Sequence, residues 1–267
     1  MRSLLSNRLK FRLIVTILAL SLAGCSGNGR LLEESFEQLY PVEPNANITI
    51  QNGDGAISVY GSNVNEIRVY AVKRAYRRAR LKQIAIDVST KRDSVSITTK
   101  FPPRPKWGLF DRSGTVDYTI TVPATANIAG LELDAGEILV DGMRGQTARA
   151  RLGEGRIFAR NCFTNLDLAI WRGNLILSYD WWEKNTFTAQ ANVVQGNAWA
   201  YLPVGGAFHL LAKALHGEIF NDFETRAVAE SAPARGMNVD TVVNGGGEAA
   251  IKLRVTEGNI KIVEARP

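Results

Sequence analysis

Apolar and polar residues alternate along most of the chain after residue 45, and a glycine recurs in the middle of the alternating runs. Such alternation is typical of β-strands that bury one face, and helical periodicity is hard to find anywhere in the sequence. The residues seven, five and three before each glycine and two and four after it are mostly apolar. The recurring glycines are Gly55, Gly136, Gly155, Gly173, Gly196, Gly217 and Gly258.

Each repeat is predicted to be a strand, a tight turn at the glycine and a second strand. A polar residue usually precedes the glycine, and glycine adopts the positive φ of a tight turn more readily than any other residue. One short repeat cannot close a hydrophobic core alone, but repeats stacked at the strand spacing of about 4.8 Å cover one another. The sequence therefore predicts an all-β fold of stacked β-strand repeats, either a β-solenoid or a solenoid-like sandwich.

The predicted repeat domain spans residues 45–265, with regular repeats in 126–265 and a looser pattern in 45–125. The inward residues predicted for the first regular repeat are Ala129, Leu131, Leu133, Ile138 and Val140. The same phase continues to Ile262, with Asn221 as a polar exception. In the looser part, strands are predicted at 48–60, 66–72, 84–88, 95–99 and 115–122. A basic run at 73–82, a proline-containing segment at 101–114 and an insertion at 225–236 are predicted to be surface loops.

Residues 1–24 have the pattern of a signal peptide: four cations, no acid and an apolar run too short to span a membrane. The sequence Leu-Ala-Gly-Cys at 22–25 resembles the lipobox of bacterial lipoproteins, which implies that Cys25 is acylated and becomes the first mature residue. An ordinary secretory signal with a chance cysteine is the alternative. Ser26 stands where inner-membrane retention signals have aspartate, which favours the outer membrane if the organism is Gram-negative. Residues 25–44 would then be a lipidated tether leading into the domain.

Processing changes the charge of the chain, since the formal net charge of +6 falls to +2 once the four leader cations are removed. The mature protein is therefore not strongly basic, and nucleic acid is not an expected partner in the cell envelope. With Cys25 lipidated, Cys162 has no partner for an intramolecular disulfide. We expect Cys162 to be a small buried apolar residue, and a reactive thiol is the alternative.

Several segments together resemble the bacterial "putative adhesin" domains, a family of β-strand repeats whose function is not established. Residues 48–61, Ile-Thr-Ile-Gln-Asn-Gly-Asp-Gly-Ala-Ile-Ser-Val-Tyr-Gly, resemble the opening strand, turn and return of that family. Residues 66–73 resemble its second strand, and Gly-x-Ile-x-Val-like repeats follow. The resemblance covers about 36–263. It implies a β-repeat fold and, through the family name, a role in adhesion; the tryptophan-rich middle repeats and the segment at 101–114 depart from a plain member.

No catalytic constellation stands out in the pattern. Polysaccharide lyases and hydrolases on β-solenoids need acids clustered on adjacent repeats, whereas the turn acids Asp54, Glu154 and Glu257 belong to distant repeats. His209 and His216 are the only histidines and do not form a metal-binding pattern. We expect a non-enzymatic envelope lipoprotein, without metal or cofactor, that has an adhesin-like binding or scaffolding role. A glycan-active lyase or hydrolase on the same scaffold is the alternative.

One outward position breaks the alternation, because the residue three after the glycine is apolar in five successive repeats, which we expect to be neighbours in the stack. This apolar column is Leu139, Phe158, Ile176, Trp199 and Phe220. If residues 101–114, residues 31–40 or a second sheet cover the column, it belongs to the core; otherwise it is a surface for an envelope protein or a glycan. Trp171, Trp181 and Trp182 lie near the middle repeat and would extend such a surface, since aromatic faces suit sugar rings.

The basic run is the second candidate for binding. Its cations are Arg74, Arg77, Arg78, Arg80 and Lys82. A loop of this composition is predicted either to bind anions such as lipid phosphates weakly or simply to keep the surface solvated.

Overall fold

A computed structural model describes residues 31–103, 114–223 and 238–265 of the 267-residue chain. The signal peptide, Cys25, most of the segment 101–114 and the insertion at 225–236 lie outside the described residues. The described chain is almost entirely β-structure. Its one helix has six residues, and no described helix is long and apolar enough to cross a membrane.

The elements follow one another along the chain as strands with short connections. They are β1 (Leu32–Pro41), β2 (Asn47–Ser62), β3 (Glu66–Ala75), α1 (Arg78–Gln83), β4 (Ala85–Lys91), β5 (Ser94–Lys100), β6 (Thr115–Pro123), β7 (Asn127–Asp141), β8 (Thr147–Arg160), β9 (Asn165–Ser178), β10 (Thr188–Pro203), β11 (Phe208–His216), β12 (Ile219–Asn221), β13 (Asn238–Val243), β14 (Ala250–Glu257) and β15 (Ile260–Ala265). The strands predicted in the looser part correspond to β2 to β6.

All of these strands belong to one mixed sheet. Its centre is a parallel stack in which β2, β7, β8, β9 and β10 pair in that order. The strand pair β14 and β15 follows β10, and β11 and β12 follow that pair. On one side of the stack, β6 pairs in parallel with β2, and β3 and β1 follow in antiparallel pairs. On the other side, β13 pairs antiparallel with β11. The all-β prediction is therefore confirmed.

The repeat glycines lie side by side in the stack, as the sequence register predicts: Gly55 pairs with Gly136, Gly136 with Gly155, Gly155 with Gly173 and Gly173 with Gly196. Each has a φ between +129° and +133°. A Cβ atom on Gly155 would lie 1.9 Å from the carbonyl oxygen of Gly136, so a side chain is excluded by contact as well as by conformation. We call the residues of a repeat before its glycine the first limb and those after it the second limb.

The core lies on one side of both limbs, because the buried positions change parity at the glycine. In β8, the buried residues are Ala148, Ala150 and Leu152 before Gly155, and Ile157 and Ala159 after it. The predicted inward residues are buried in every described repeat except at one position. Ala129 is half-buried, because a β-bulge between Ile128 and Leu131 shifts the register and turns Ile128 inward instead.

The order of the last two repeats differs from their order in the sequence. Gly258 packs on Gly196, and Gly217 packs on Gly258. The β14–β15 repeat therefore lies between β10 and the β11–β12 repeat, so the expectation that the apolar column runs through five successive neighbours is wrong at its last step. The alternation of a sequence predicts which face of a strand is buried, but not which strand is its neighbour.

The basic run is also different from the predicted surface loop. Arg74 lies in β3, and Arg78, Arg80 and Lys82 lie in α1, with Arg77 at the N-cap of the helix. Leu81 is buried and fixes one face of the helix against the domain. The sequence does not predict this short helix, because one buried leucine among cations gives no helical periodicity of apolar residues.

Candidate functional site

The outer face of the first limbs carries a groove beside the most exposed large aromatic residue of the described chain. Trp171 projects from β9 with 60% of its surface exposed. The groove has a volume of about 420 Å³. Its polar lining is provided by Glu132, Asp134, Arg151 and Asn192 from β7, β8 and β10. Four neighbouring strands therefore contribute to one open site.

Gly153 is the residue that leaves room beside the tryptophan. It lies on β8 between Asp134 of β7 and Trp171 of β9. A Cβ atom there would lie 2.4 Å from the backbone oxygen of Asp134, so only glycine fits. The absent side chain leaves space beside Trp171 in the groove, and an exposed indole suits a flat ligand that stacks on its face.

The polar side chains of the groove differ in whether they already have partners. The Gln51 amide donates a hydrogen bond of 3.1 Å to Glu132, and Arg151 forms an ion pair with Asp167. The side chain of Asp134 makes no hydrogen bond or ion pair with any described residue. The Asp134 carboxylate is therefore free to accept hydrogen bonds from a ligand close to Trp171.

The groove continues towards β2, where Phe101 packs over Gly53. A Cβ atom on Gly53 would lie 3.1 Å from the Phe101 ring. Phe101 and Asp134 line a second hollow of about 290 Å³ that adjoins the first. Asp134 thus stands between two aromatic rings on the same outer face.

The apolar column occupies the outer face of the second limbs, away from Trp171. Leu139, Phe158, Ile176 and Trp199 are direct neighbours on β7, β8, β9 and β10 and are half-buried. Lys261 of β15 separates Trp199 from Phe220, which is 42% exposed. The column therefore has four contiguous members. Of its expected covers, β1 pairs with β3 at the edge of the sheet instead.

Trp181 and Trp182 belong to neither outer face. They lie in the connection between β9 and β10, where Trp182 packs 5.1 Å from Phe208 and Trp181 packs 6.0 Å from Phe163, measured between ring centroids. The Trp181 indole donates a hydrogen bond of 2.9 Å to Glu183. The predicted aromatic binding face is therefore divided into three places: the column, Trp171, and this aromatic cluster.

Arg144 contacts both the aromatic cluster and the backbone after β8. Its guanidinium carbon lies 4.7 Å from the centre of the Phe163 ring, and it donates hydrogen bonds to Glu183 and to the backbone oxygen of Asn161. The buried Tyr179 hydroxyl donates to the backbone oxygen of Cys162. Burial raises the pKa of Tyr179 well above its ordinary value. Trp182 packs against this cluster, with its ring centre 5.5 Å from that of Tyr179, and is partly buried against the core.

The candidate anion-binding residues are only partly available to a ligand. Arg74 forms ion pairs with Glu33 and Asp117, and its hydrogen bond to Glu33 is the main reason that its pKa is raised. Arg80 donates to the backbone oxygen of Pro103. Arg77, Arg78 and Lys82 are exposed. Since Arg74 and Arg80 are engaged, the loop as predicted does not present five free cations.

The remaining chemical groups give no reactive site within the described residues. No cluster of three or more His, Cys, Asp or Glu side chains in the described ranges is arranged to hold a metal. Cys162 is buried, as predicted, and its thiol donates to the backbone oxygens of Val140 and Arg160. His209 lies 3.1 Å from Asp240 at an exposed position. Asp134, Gly153 and Asn192 are the groove residues that the sequence analysis missed, since single polar residues and glycines on a solvated face look ordinary there.

Comparison with known proteins identifies the fold. No family model matches the chain, and no curated protein matches it. A solved structure described as a "putative cell adhesion protein" from Clostridium sporogenes is similar, with a TM-score of 0.52 and 13% identity over 87% of this chain and 100% of that one. A "putative adhesin" from Bacteroides fragilis has a TM-score of 0.33 and 12% identity over 86% and 97% of the two chains.

The first of these structures reaches a TM-score that indicates a shared fold. At 13% identity the likeness concerns the fold alone. It confirms the β-rich fold that the resemblance to adhesin domains implies, over 87% of this chain.

Proposed function

We propose that this chain is a lipid-anchored protein of the cell envelope that has a non-enzymatic, adhesin-like role and binds a glycan through the outer face of its first limbs. The observation that carries the proposal is the exposed Trp171 beside Gly153, with the free carboxylate of Asp134 in the same groove. An aromatic ring with hydrogen-bonding groups at its edge suits a sugar ring, which has apolar faces and a polar rim.

The repeat stack would present this groove on a rigid β-solenoid. A straight strand with the 14 residues of β8 would be about 46 Å long, whereas the four residues between β8 and β9 reach about 18 Å at most. Since β9 nevertheless returns into register with β8, the chain has to double back within each repeat. The positive φ at Gly155 and the change of parity there support a bend at that point. The apolar column would then lie on a different side of the solenoid from Trp171.

The carboxylates of the groove argue against the glycan-active enzyme. Glu132 and Asp134 lie two residues apart on the outer face of the same strand, and both are exposed. Glycosidases place two carboxylates on opposite sides of the bond that is cleaved, and one of them is usually shielded from water so that it can act as an acid. A pair on one side of an open groove can bind a sugar but does not flank its glycosidic bond.

Membrane attachment is proposed from the leader and not from the described domain. The charged start, the apolar run and the lipobox-like residues before Cys25 support an acylated cysteine. If the organism is Gram-negative, Ser26 favours the outer membrane. One acyl chain alone binds a membrane only weakly, so stable attachment would need the additional acyl chains that bacterial lipoproteins carry.

The binding role is tested with the full-length protein in detergent and a panel of insoluble polysaccharides that includes cellulose, chitin and peptidoglycan sacculi. Trp171→Ala is expected to weaken binding to any retained polysaccharide by at least about 30-fold, which corresponds to the loss of about 2 kcal/mol that is typical of a central aromatic contact. Tyr201→Ala is the matched control, because Tyr201 is an exposed aromatic residue on a second limb.

Two results would contradict this proposal. If Trp171→Ala and Tyr201→Ala bind as the unchanged protein does, the groove is not the binding site. If the unchanged protein releases new reducing ends continuously, and Asp134→Asn abolishes the release, the protein is a hydrolase instead.

A further inference from the structure

Three cations lie together on the outer face of the first limbs, two to three strands away from Trp171. Arg254 of β14 and Lys213 of β11 are direct neighbours in parallel register. Lys252 lies two residues before Arg254 on the same face of β14. All three side chains belong to exposed residues. We call Lys213, Lys252 and Arg254 the cationic patch.

The charges of the patch lie close together, with two of its cations directly opposite each other. No described residue forms an ion pair with any of the three. Several arginines on the outer faces of the stack are instead paired with acids on the neighbouring strand, as Arg156 is with Glu137 and Arg160 with Asp141. Like charges directly opposite each other destabilise a sheet. The arrangement therefore carries an electrostatic cost that no described contact offsets.

The cationic patch lies in an open groove. The three cations line a groove of about 430 Å³ together with the amides of Gln190, Asn192 and Asn238. Asp240 also lines this groove, but its carboxylate pairs with His209. Asn192 lines the Trp171 groove as well. The two grooves therefore adjoin at Asn192 of β10.

We propose that the cationic patch binds the anionic groups of an acidic polysaccharide whose neighbouring sugar ring stacks on Trp171. The inference rests on the proposed glycan-binding function and adds the charge of the ligand. Trp171 lies on β9 and Arg254 lies two strands away on β14, about 10 Å across the sheet. An extended chain with an acid on successive rings spans that distance, whereas one isolated anion would contact the patch without reaching the tryptophan.

The experiment compares two polymers that share a backbone and differ in charge: polygalacturonate and its fully methyl-esterified form. Binding of both to the full-length protein in detergent is measured at low and at physiological ionic strength. The triple variant Lys213→Gln, Lys252→Gln, Arg254→Gln is compared with a control of equal charge change at exposed cations outside both candidate binding sites, Lys91→Gln, Arg92→Gln, Lys184→Gln. The expected result is at least a tenfold preference for polygalacturonate at low salt, weakened by salt, lost in the patch variant and kept in the control.

The thermal midpoint of the patch variant provides an independent check on folding. It is expected to be equal to or higher than that of the unchanged protein, because the substitutions remove repulsion between like charges. A clearly lower midpoint would mean that the three cations stabilise the fold, which would overturn the proposal.

The remaining outcomes separate this inference from the function on which it rests. If both polymers bind equally and Trp171→Ala abolishes both, glycan binding stands and the charge preference is wrong. If neither polymer binds and phosphatidylglycerol vesicles are retained through the patch, the patch binds lipid headgroups and the inference is overturned. If Trp171→Ala also leaves every polysaccharide in the panel unaffected, the proposed function fails with it.

Discussion

Cys162 shows how completely the interior of the stack excludes water from a polar group. The thiol is 1% exposed and donates to two backbone oxygens at 3.2 and 3.4 Å. Burial raises its pKa from 9.0 to about 12, because the low-polarity surroundings disfavour the thiolate. The nucleophilic form is therefore almost absent at neutral pH. A lone cysteine that looks available in the sequence is chemically inert in the fold.

Iodoacetamide is expected to leave Cys162 unmodified at pH 8 in the folded protein and to alkylate it within minutes in concentrated urea. Mass spectrometry of the full-length protein measures both. In urea, one alkylated cysteine is expected if Cys25 carries lipid, and two if it does not. Rapid alkylation of Cys162 in the folded protein would show that the site opens readily.

Because burial favours the protonated thiol, the free energy of unfolding depends on pH. A folded-state pKa above the unfolded value means that stability is complete below about pH 9 and falls as the pH rises towards 12. Tyr118, whose pKa burial raises from 10.0 to about 12 against an opposing hydrogen bond with Thr99, acts in the same direction above pH 10. Each group lowers the free energy of unfolding by up to about 1.4 kcal/mol per pH unit in the range between its two pKa values.

The free energy of unfolding, measured with urea at pH 8 and at pH 10, is expected to differ less between the two pH values in Cys162→Ala than in the unchanged protein.

At the scale of the strand, the glycine column decides how the repeats stack. The Cβ of any residue at position 173 would lie 1.9 Å from the backbone oxygen of Gly155, and the φ of +130° is one that L-residues rarely adopt. A substitution must therefore both strain the backbone and push two strands apart. The parallel register depends on this contact being backbone against backbone.

Gly173→Ala is expected to lower the free energy of unfolding by at least about 3 kcal/mol, a loss in the range of strained backbone positions and displaced core packing. Gly205→Ala is the matched control, because a Cβ at position 205 meets nothing within 4 Å. Chemical denaturation of both variants measures the difference. Equal stability of the two would mean that the column tolerates side chains and that the glycines do not hold the register.

The sequence predicts the strands and the stacking of the central repeats, but not the order of the last two repeats. The phase around each glycine identifies Leu152 and Ile157 as inward, because burial of one face imposes a period of two. That period contains no information on pairing, so the placement of β14 between β10 and β11 is invisible until the chain is folded. The cationic patch depends on this placement, since Lys213 and Arg254 are 41 residues apart in the sequence. The sequence predicts Trp171 as a binding residue of the groove, but it does not predict that Gly153 leaves space beside it.

At the scale of the whole molecule, the outer faces have different characters. The second limbs carry the half-buried Leu139 column, whereas the first limbs carry acids near β7, Trp171 on β9 and unpaired cations on β14 and β11. A polymer lying across the strands would meet these features in order. The repetition of strands thus produces a surface that is regular in its backbone and varied in its chemistry, which is what a long, flat ligand requires.

Attachment to a membrane would hold the outer faces close to that membrane. We expect this attachment to depend on Cys25. Cys25→Ser is expected to prevent acylation and cleavage, so that the protein keeps its leader and incorporates no labelled palmitate. Ser26→Ala is the matched control, because it alters the next residue without removing the thiol. Fractionation, gel mobility and palmitate incorporation are measured together. If Cys25→Ser matures to the same size as the unchanged protein and remains in the membrane fraction without label, the anchor lies elsewhere. The tether would then not begin at Cys25, although the binding groove on the first limbs would be unaffected.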